Sequence, residues 1–600
     1  MDTIAMRMEL RRFLNRPSYR YQIANRFFPH IPWLILFALS VFLYKQRIFA
    51  DSAYYVSHFI NNKFFMIECQ RYVLAFSQVL PLIGVWLGIK LKYVLLLYSI
   101  SHVLFFYSLF LITYYGLRDR RSGLLILIFQ ITGITLSFYT PMFELFYGVS
   151  LLVTFYAFWR TNINSNFVLL LLIFLEITVL FSHPVTFILL AFIIFYDFRE
   201  HIKPAKWYLW LIGILIAVAV TKSFFMCPYE TGKLGWQFGV DENKTYLQLF
   251  KAGFWKHLAA FFMTYYPETM AALLGSIVLL TIKKQWFRLI VVAGTFSLYL
   301  VLVAAAYTEI LHSRYMEQVF FPFVVISFIP IVYGYNSKMH QGLQNTSTMV
   351  LILLIGYRLF MIYDGSFPFR QRTIQMESLI HTAWDKGGTK YIIDEAKVEK
   401  EFTMLNWSYP IESMLISSLY GNTRTVTPVP SADLAFENNV KKITPRNFLY
   451  RKWEIRENSW LNPAYFHLDP GIYKPLADTL VNKNLNAISN SMSLNINALN
   501  YYQSLDTIWI PVEIINNSGI TLKTGGRNQV YISYFWMHDD NLLDWNSIKT
   551  TVDCDITTKY TQLIKVATPA QKGKHNLKVD VIGDNNFWFG INATVPVYIY

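Results

Sequence analysis

Long apolar runs follow one another over residues 31–363, and short polar or basic segments separate them. A helix needs about 20 apolar residues to cross a bilayer, so these runs predict membrane-spanning helices. The pattern predicts about eleven spans, at residues 31–50, 93–115, 123–139, 145–159, 167–182, 185–197, 207–226, 258–282, 289–308, 318–335 and 347–363. Residues 31–363 are therefore expected to form one polytopic α-helical membrane domain.

A further apolar stretch, residues 72–89, leaves the number of crossings open. If it crossed the membrane, the basic turn Arg118–Arg121 would lie outside, against the tendency of basic loops to stay in the cytoplasm. The stretch is also short and contains Gln78, Pro81 and Gly84. We interpret it as a juxtamembrane helix in the external loop 51–92, lying against the outer leaflet or packed within the protein. The amino end is then cytoplasmic and the carboxyl tail extracytoplasmic.

Polar residues return after residue 363, and the periodicity changes twice. Residues 364–495 mix short patterns, with a predicted strand at Tyr391–Asp394 and a predicted helix at Glu412–Leu419. Residues 496–600 alternate apolar and polar positions between turns, which predicts strands. Those strands lie at Ile508–Ile514, Gln529–Trp536, 561–567, 575–582 and 594–600. We expect a soluble α/β region followed by an antiparallel β-sandwich.

Composition and charge agree with a lipid-embedded first part. Of 600 residues, 54% are hydrophobic, above the roughly 45–50% of soluble domains. Much of the formal net charge of +15 lies in short loops between apolar runs, where it sets membrane topology and does not indicate nucleic-acid binding. Residues 1–30 carry six arginines, and no small-residue cleavage site follows the first run. We expect a cytoplasmic basic segment and an uncleaved anchor.

Three cysteines, Cys69, Cys227 and Cys554, are too few for a disulfide framework. The predicted topology places Cys69 and Cys227 both outside, so two interpretations stay open. They form one bridge, or they are two unpaired thiols, which is the simpler expectation.

Ionisable side chains recur on the predicted outer side, where such groups are costly unless they are paired or functional. Asp51 follows the first span directly, and Glu144 lies at the mouth of the fourth. The other candidates are Tyr54, Lys63 and Arg71 in the loop 51–92, His183 after the fifth span, and His312, Arg314, Tyr315 and Glu317 between the ninth and tenth spans. Taken singly, each also fits an interfacial group that reaches water.

Together these side chains have a chemistry in common. A carboxylate can accept a proton from an acceptor hydroxyl or amine. A guanidinium binds two phosphate oxygens at once through its planar fork. Carboxylates and arginines on one face therefore fit a substrate linked to a lipid phosphate.

The order of these features resembles the GT-C superfamily of membrane glycosyltransferases, which includes protein O-mannosyltransferases and lipid A aminoarabinose transferase. Asp51 after the first span, the loop 51–92, the basic turn Arg118–Arg121 and Glu144 look like its features in sequence. The resemblance covers roughly residues 31–363. It implies a polyprenyl-phosphate sugar donor and an inverting transfer, with Asp51 as the base that activates the acceptor. It also implies that Arg314 and Arg71 bind the donor phosphate.

Residues 496–600 resemble an immunoglobulin-like module of bacterial carbohydrate enzymes. The segments that carry this resemblance are Val512–Gly519, Ser533–Trp536, Pro569–Gly573 and Phe587–Phe589. It implies a spacer or binding domain, and no catalytic set is evident there.

The sequence thus predicts a glycosyltransferase of a bacterial inner membrane, acting on a lipid, glycan or protein acceptor outside the cytoplasm. Two alternatives stay open, a transporter for a lipid-linked glycan and a non-catalytic scaffold with an external binding head. A transporter would need charged residues deep in its spans, for which Glu176 and Glu268 are the main candidates. No cofactor is required by these features, and a divalent cation is left open. Walker, GxGxxG and HExxH motifs are absent from the sequence.

Overall fold

The computed structural model describes residues 28–161, 165–200, 202–232, 252–307, 313–334, 341–393, 405–476, 491–517, 521–522, 530–538, 541–544, 549–583 and 591–600. Contacts divide the chain into two compact units. The first unit is Met1–Ile392 with Glu401–Lys474, and the second is Ile393–Lys400 with Pro475–Tyr600.

The first unit is built mainly from helices, because its apolar residues fill whole helical turns and do not alternate. In chain order, the first seven of these helices are α1 Ile31–Phe42, α2 Asp51–Asn62, α3 Ala75–Trp86, α4 Leu91–Leu111, α5 Arg120–Thr132, α6 Glu144–Trp159 and α7 Asn166–Ser182. They are followed by α8 Thr186–Asp197, α9 Ala205–Phe224, α10 Ala252–Tyr265, α11 Pro267–Ile282, α12 Trp286–Ala306, α13 Arg314–Gly334, α14 Gln341–Asp364 and α15 Phe367–Asp385.

Several of these helices are long and apolar enough to cross a membrane. Among the described residues there are five, or six if the bent pair α10 and α11 forms one span. The five are Leu91–Gly116, Ala205–Phe224, Trp286–Ala306, Arg314–Gly334 and Met349–Asp385. Shorter apolar helices include α1, α6, α7 and α8. The predicted membrane character of this part is therefore confirmed in outline, and the number of eleven spans stays a prediction.

Three predicted spans differ from the helices observed. The span predicted at 123–139 is the helix α5, which ends at Thr132, and a separate 3-10 turn at Leu136–Tyr139. The span predicted at 258–282 is two helices, which meet at Tyr266 with a bend of 99°. Pro267 begins α11, and a residue before proline is disfavoured in helical conformation. The helix of the span predicted at 31–50 ends at Phe42, and a short 3-10 turn follows at Gln46–Ile48. The prediction of one continuous helix over each range was wrong.

The stretch 72–89 forms a 3-10 turn, Tyr72–Leu74, and the helix α3. This helix packs closely on α4 through Gly84. A Cβ at Gly84 would lie 2.9 Å from Ile89 Cδ1 and 3.3 Å from Leu97 Cδ1. A larger residue at this position would therefore require the side chains of Ile89 and Leu97 to move.

The rest of the first unit contains short helices and strands. The predicted helix at Glu412–Leu419 is α16 Tyr409–Ser417, and short helices follow at Ser431–Ala435 and Asn439–Lys442. The strands are β1 Lys390–Ile393, β2 Thr427–Pro430, β3 Asn447–Arg451, β4 Glu454–Glu457 and β5 Lys474–Pro475. One sheet has the order β2-β1-β5, and β3 pairs antiparallel with β4.

The second unit is rich in strands, as the alternation of residues 496–600 predicts. Its strands are β6 Met492–Ile496, β7 Tyr501–Tyr502, β8 Thr507–Asn516, β9 Val530–His538, β10 Asn541–Asp544, β11 Thr550–Thr551, β12 Lys559–Ala567, β13 Gly573–Gly583 and β14 Ala593–Ile599. One sheet has the order β12-β8-β6, and the other has the order β10-β9-β13-β14-β7, with β11 on β9. Inward residues of both sheets, such as Ile510, Ile514, Val579 and Val597, form one core.

Candidate active site

Asp51 is the first residue of α2, and the residue before it has an unusual backbone. Ala50 has a φ of 47° and a ψ of −108°. A residue with a side chain adopts such a conformation only where its surroundings enforce it. Here the Ala50 N–H donates a hydrogen bond to Glu412 Oε1 at 2.9 Å. The position of Asp51 is therefore set by a carboxylate from α16.

Glu412 is itself held by a second buried charge. Arg372 donates from Nε to Oε2 at 2.8 Å and from Nη2 to Oε1 at 2.9 Å, and Ser408 Oγ donates to Oε1 at 2.5 Å. Both side chains of the ion pair are nearly inaccessible to solvent. Bidentate pairing of this kind fixes the orientation of both side chains. Arg372 and Glu412 thus hold the start of α2 in place.

The Asp51 carboxylate lies beside Arg314, with 3.4 Å between Oδ2 and Nη2. Arg314 also donates from Nη1 to Thr140 Oγ1 at 2.9 Å, and its guanidinium stacks on the Phe49 ring. The Asp51 side chain is 37% exposed. A partly accessible carboxylate next to a guanidinium can meet a substrate from solvent.

Glu144 begins α6 and is buried. Its Oε1 lies 2.5 Å from Arg71 Nη1, and Arg71 Nη2 lies 3.2 Å from Glu230 Oε1. Burial alone would lower the pKa of Arg71, but the negative charge of Glu144, followed by Tyr55 and Glu230, raises it above its usual value. Arg71 is therefore a permanent cation shared by two carboxylates.

A disulfide joins Cys69 to Cys227 and closes this part of the site. The simpler expectation, two unpaired thiols, was wrong. The bond ties the loop of Arg71 to the segment of Glu230, which lies three residues after Cys227. It therefore holds Arg71 near one of its two carboxylate partners. Cys554 in the second unit is free and exposed.

Tyr55 shows that the two acid–arginine pairs belong to one region. It is buried in α2, and burial raises the pKa of its hydroxyl well above the usual value. The next causes are the negative charges of Glu68, Glu144 and Asp51, which also raise this pKa, while Arg71 lowers it. The geometry agrees, because Tyr55 lies about one helical turn after Asp51 on α2. The loop that carries Arg71 is also hydrogen-bonded to α2, through Glu68 and Tyr54.

Tyr54 and Lys63 also lie on α2 or at its end. Tyr54 donates from its hydroxyl to Glu68 Oε1 at 2.8 Å, and the guanidinium of Arg451 lies 4.1 Å from its ring centre. Burial, followed by Glu68, raises the pKa of Tyr54. Lys63 is exposed and follows α2 in a left-handed conformation with a φ of 52°. Within the described part of the chain, no ion pair or hydrogen bond joins the Lys63 side chain to the carboxylates of the site.

Glu317 was a candidate substrate-binding residue, but its carboxylate binds backbone groups of the protein itself. It is buried and accepts hydrogen bonds from the backbone N–H groups of Thr135, Leu136 and Ser137 at 3.0, 2.9 and 2.8 Å. Successive N–H groups that converge in this way form an anion-binding concavity. Glu317 fills it and fixes the turn before Tyr139.

His183 and Tyr315 form hydrogen bonds with residues other than Asp51 and Glu144. His183 caps the end of α7 and accepts at Nδ1 from the Val185 N–H at 3.2 Å. The hydroxyls of Tyr315 and Tyr307 share a hydrogen bond of 3.0 Å. His312 lies outside the described residues.

Among the described residues, one group of side chains has potential metal-ligand atoms close together, namely Cys69, Cys227 and Glu230. A metal binds cysteine as a thiolate, and these two sulfurs are bonded to each other. The group therefore does not fit a cation in the disulfide form.

Sequence reasoning missed Tyr55, Glu230, Arg372 and Glu412. Tyr55 follows the candidate Tyr54 directly and lies four residues after Asp51, so its place in the sequence was a signal for it. Arg372 and Glu412 are 40 residues apart and follow no motif, so only the fold brings them together. No family model and no curated protein matches the chain.

Proposed function

We propose that the protein is a membrane glycosyltransferase. It moves a sugar from a polyprenyl-phosphate donor to a lipid, glycan or protein acceptor on the extracytoplasmic face of a bacterial inner membrane. The observation that supports this best is the partly exposed Asp51 carboxylate beside Arg314, on a backbone that Glu412 holds in a strained conformation. Strain of this kind clusters at functional sites.

The proposed reaction uses Asp51 as a general base. Its carboxylate accepts the proton of the acceptor hydroxyl or amine. The acceptor atom forms a bond to the anomeric carbon, while the bond from that carbon to the donor phosphate oxygen breaks. The polyprenyl phosphate leaves with the electron pair, and the configuration at the carbon inverts. Arg314 provides positive charge beside the reacting groups.

The Cys69–Cys227 disulfide supports the extracytoplasmic side of the membrane. Disulfides persist in oxidising compartments such as the periplasm and are rare in the cytosol. The bond lies in the same region as Arg71 and Glu144. This proximity supports the proposal that the chemistry takes place on the side of the membrane where the cysteines are oxidised.

Transfer of a labelled sugar from a lipid donor, measured in membranes that contain the full chain, tests this proposal. Asp51→Asn removes the base but keeps the shape, so we expect transfer to fall about 100-fold or more. Asp469→Asn is the matched control, because it makes the same change at an exposed site. Sugar transfer at the wild-type rate by Asp51→Asn would contradict the assignment of Asp51 as the base.

Transport of a lipid-linked glycan is a second candidate, and Glu176 favours it. This residue is fully buried in α7, and neither carboxylate oxygen has a hydrogen-bond partner among the described residues. Glu268, by contrast, pairs with Arg358. An isolated buried carboxyl suits a proton relay. Uptake of a labelled lipid-linked glycan into vesicles without a covalent product, lost in Glu176→Gln, would favour transport.

A further inference from the structure

A small cavity lies inside the helical unit, beside the 3-10 turn that follows α1. Arg47 of this turn lines it, together with Trp33 from α1 and His102 from α4. The other described lining residues are mostly apolar, such as Phe106 and Phe146, and none of them is acidic. The water-accessible volume of the cavity is about 30 Å³. Because one water molecule needs at least about 10–15 Å³ of such space, the cavity can hold a small ion but not a large organic ligand.

Arg47 brings a positive charge to this cavity, and no carboxylate balances that charge among the described residues. Arg47 is 1% exposed. Its Nη2 donates to the Ser99 carbonyl at 3.3 Å, and its guanidinium carbon lies 3.9 Å from the centre of the Phe138 ring. Its Nε and Nη1 are buried and have no hydrogen-bond partner in the described part of the chain. A buried charge without a counterion is strongly destabilising, so we expect an anion beside Arg47.

Two neutral side chains of the lining also have buried nitrogens without partners. Trp33 Nε1 and His102 Nε2 make no hydrogen bond to any described residue. The other ring nitrogen of His102 is hydrogen-bonded to the Tyr147 hydroxyl, which fixes the orientation of the imidazole. An indole N–H and a guanidinium only donate, and an imidazole nitrogen can donate. An anion accepts from all of these groups, whereas a water molecule also needs acceptors for its own two hydrogens.

The size and the charge of the cavity limit the ligand to one class. Sulfate and phosphate have four oxygens around a central atom and are much larger than water, whereas a halide is a single atom only slightly larger than water. The apolar walls also disfavour a doubly charged ion, because burying charge costs more as the charge increases. We propose that the cavity binds one chloride ion, held by Arg47, Trp33 and His102. The inference concerns binding alone and holds whether or not the protein transfers a sugar.

Binding of radiolabelled chloride to the purified full chain in detergent tests the proposal. We expect saturable binding of one ion per chain, with bromide as an effective competitor. Sulfate and gluconate should compete at least about tenfold more weakly, because a group that is too large for a packed site must displace its walls. The absence of saturable chloride binding would overturn the proposal. Competition by sulfate as strong as that by bromide would overturn it as well.

Bromide also locates the ion, because bromine scatters X-rays anomalously near its absorption edge. Crystals of the full chain that contain bromide should show an anomalous peak within hydrogen-bond distance of the Arg47 guanidinium. Water in the cavity, with bromide peaks only at other places, would contradict the assignment. This measurement uses the wild-type chain, so it decides the proposal even if no variant folds.

Thermal unfolding in chloride and in gluconate, at equal ionic strength, distinguishes an ion ligand from a purely structural arginine. Chloride should raise the unfolding temperature of the wild-type chain, because it binds the folded state. Arg47→Gln should lose this effect. In gluconate this variant should unfold at the wild-type temperature or above it, because a buried unpaired charge has been removed. An Arg47→Gln variant that is less stable than the wild type by the same amount in both salts would contradict the proposal.

Two further variants sharpen this measurement. Lys45→Gln is the control, because Lys45 lies two residues before Arg47 and pairs with Glu377 at 2.6 Å. It should keep the wild-type response to chloride. Trp33→Phe keeps an aromatic ring but removes the N–H, so it should weaken chloride binding about two- to tenfold. Unchanged chloride affinity in both Arg47→Gln and Trp33→Phe would contradict the placement of the ion.

Discussion

The two units of this protein differ in where their described ion pairs lie. In the helical unit, buried carboxylates face arginines, as in the pairs Arg372–Glu412 and Arg71–Glu144. In the sandwich, the described ion pair Lys559–Glu513 lies on the surface, and the buried carboxylate of Asp580 accepts a hydrogen bond from the backbone N–H of Val581. Burying charge is costly and often gives no net stability. The function proposed for the helical unit would explain why it keeps buried ion pairs near Asp51.

Breaking a buried pair should have the largest effect on stability. Arg372→Met leaves Glu412 charged and uncompensated, which should destabilise the helical unit by about 3–5 kcal/mol. Thermal unfolding of the purified chain measures the loss. The double variant Arg372→Met/Glu412→Met should be milder than the single one, because no lone charge remains.

The sandwich supplies the matched control for this prediction. Lys559→Met breaks an ion pair whose lysine is 64% exposed. Solvent screens such pairs, so we expect no measurable shift in unfolding. Equal losses of stability in Arg372→Met and Lys559→Met would contradict the expected difference between the ion pairs of the two units.

A cavity in the sandwich core should destabilise only the second unit. Ile514 is fully buried there, and Ile514→Ala should lower the stability of the sandwich by about 2–5 kcal/mol. Sugar transfer, measured below the new unfolding temperature, should stay at the wild-type rate. A parallel fall in transfer would place part of the chemistry in the sandwich.

Removing the disulfide should have a smaller effect, confined to the helical unit. Cys69→Ala/Cys227→Ala opens a link across 158 residues, and native disulfides contribute about 2–4 kcal/mol. We expect a lower unfolding temperature and slower transfer, because Arg71 loses the constraint that holds it near Glu230. Cys554→Ala, a change at a free thiol, should alter neither quantity. A double variant with wild-type transfer would show that Arg71 needs no such constraint.

The smallest expected effect is a pH dependence from His58 on α2. Burial lowers the pKa of His58 from 6.5 to about 4. Between these values the unfolded chain binds more protons than the folded one, so stability rises with pH across this window. Above about pH 6.5 the contribution of His58 to the free energy of unfolding no longer changes with pH. Unfolding temperatures from pH 4 to 7 should therefore rise less steeply in His58→Gln, and identical slopes would contradict the assignment.

The sequence was sufficient for those features that depend on local pattern. Apolar runs predicted the membrane helices, and strict alternation predicted β8, β9 and β12 to β14 within a few residues. Pattern failed at 258–282, where hydrophobicity alone does not register that Pro267 breaks the helix.

The site was only half predictable. Asp51, Glu144, Arg71 and Arg314 are conspicuous, because charge is rare beside apolar runs. The pairing of these side chains could not be predicted from the sequence. The carboxylates face the same arginines that were expected to bind phosphate. Arg47 lies four residues before Asp51 and was interpreted as part of the first span. Its burial without a counterion depends on packing among α1, α4, α5 and α6, which no local pattern encodes.

Chemical rescue of an Asp51 variant tests the central claim most directly. Asp51→Ala removes the carboxylate and leaves space for a small one, and added formate can then act as the base. The measurement is the rate at which purified protein releases polyprenyl phosphate from the sugar donor in the presence of acceptor. We expect release to fall about 100-fold or more in Asp51→Ala and to recover in part with formate. Release at the wild-type rate by Asp51→Ala without formate would contradict the role of Asp51 as the base.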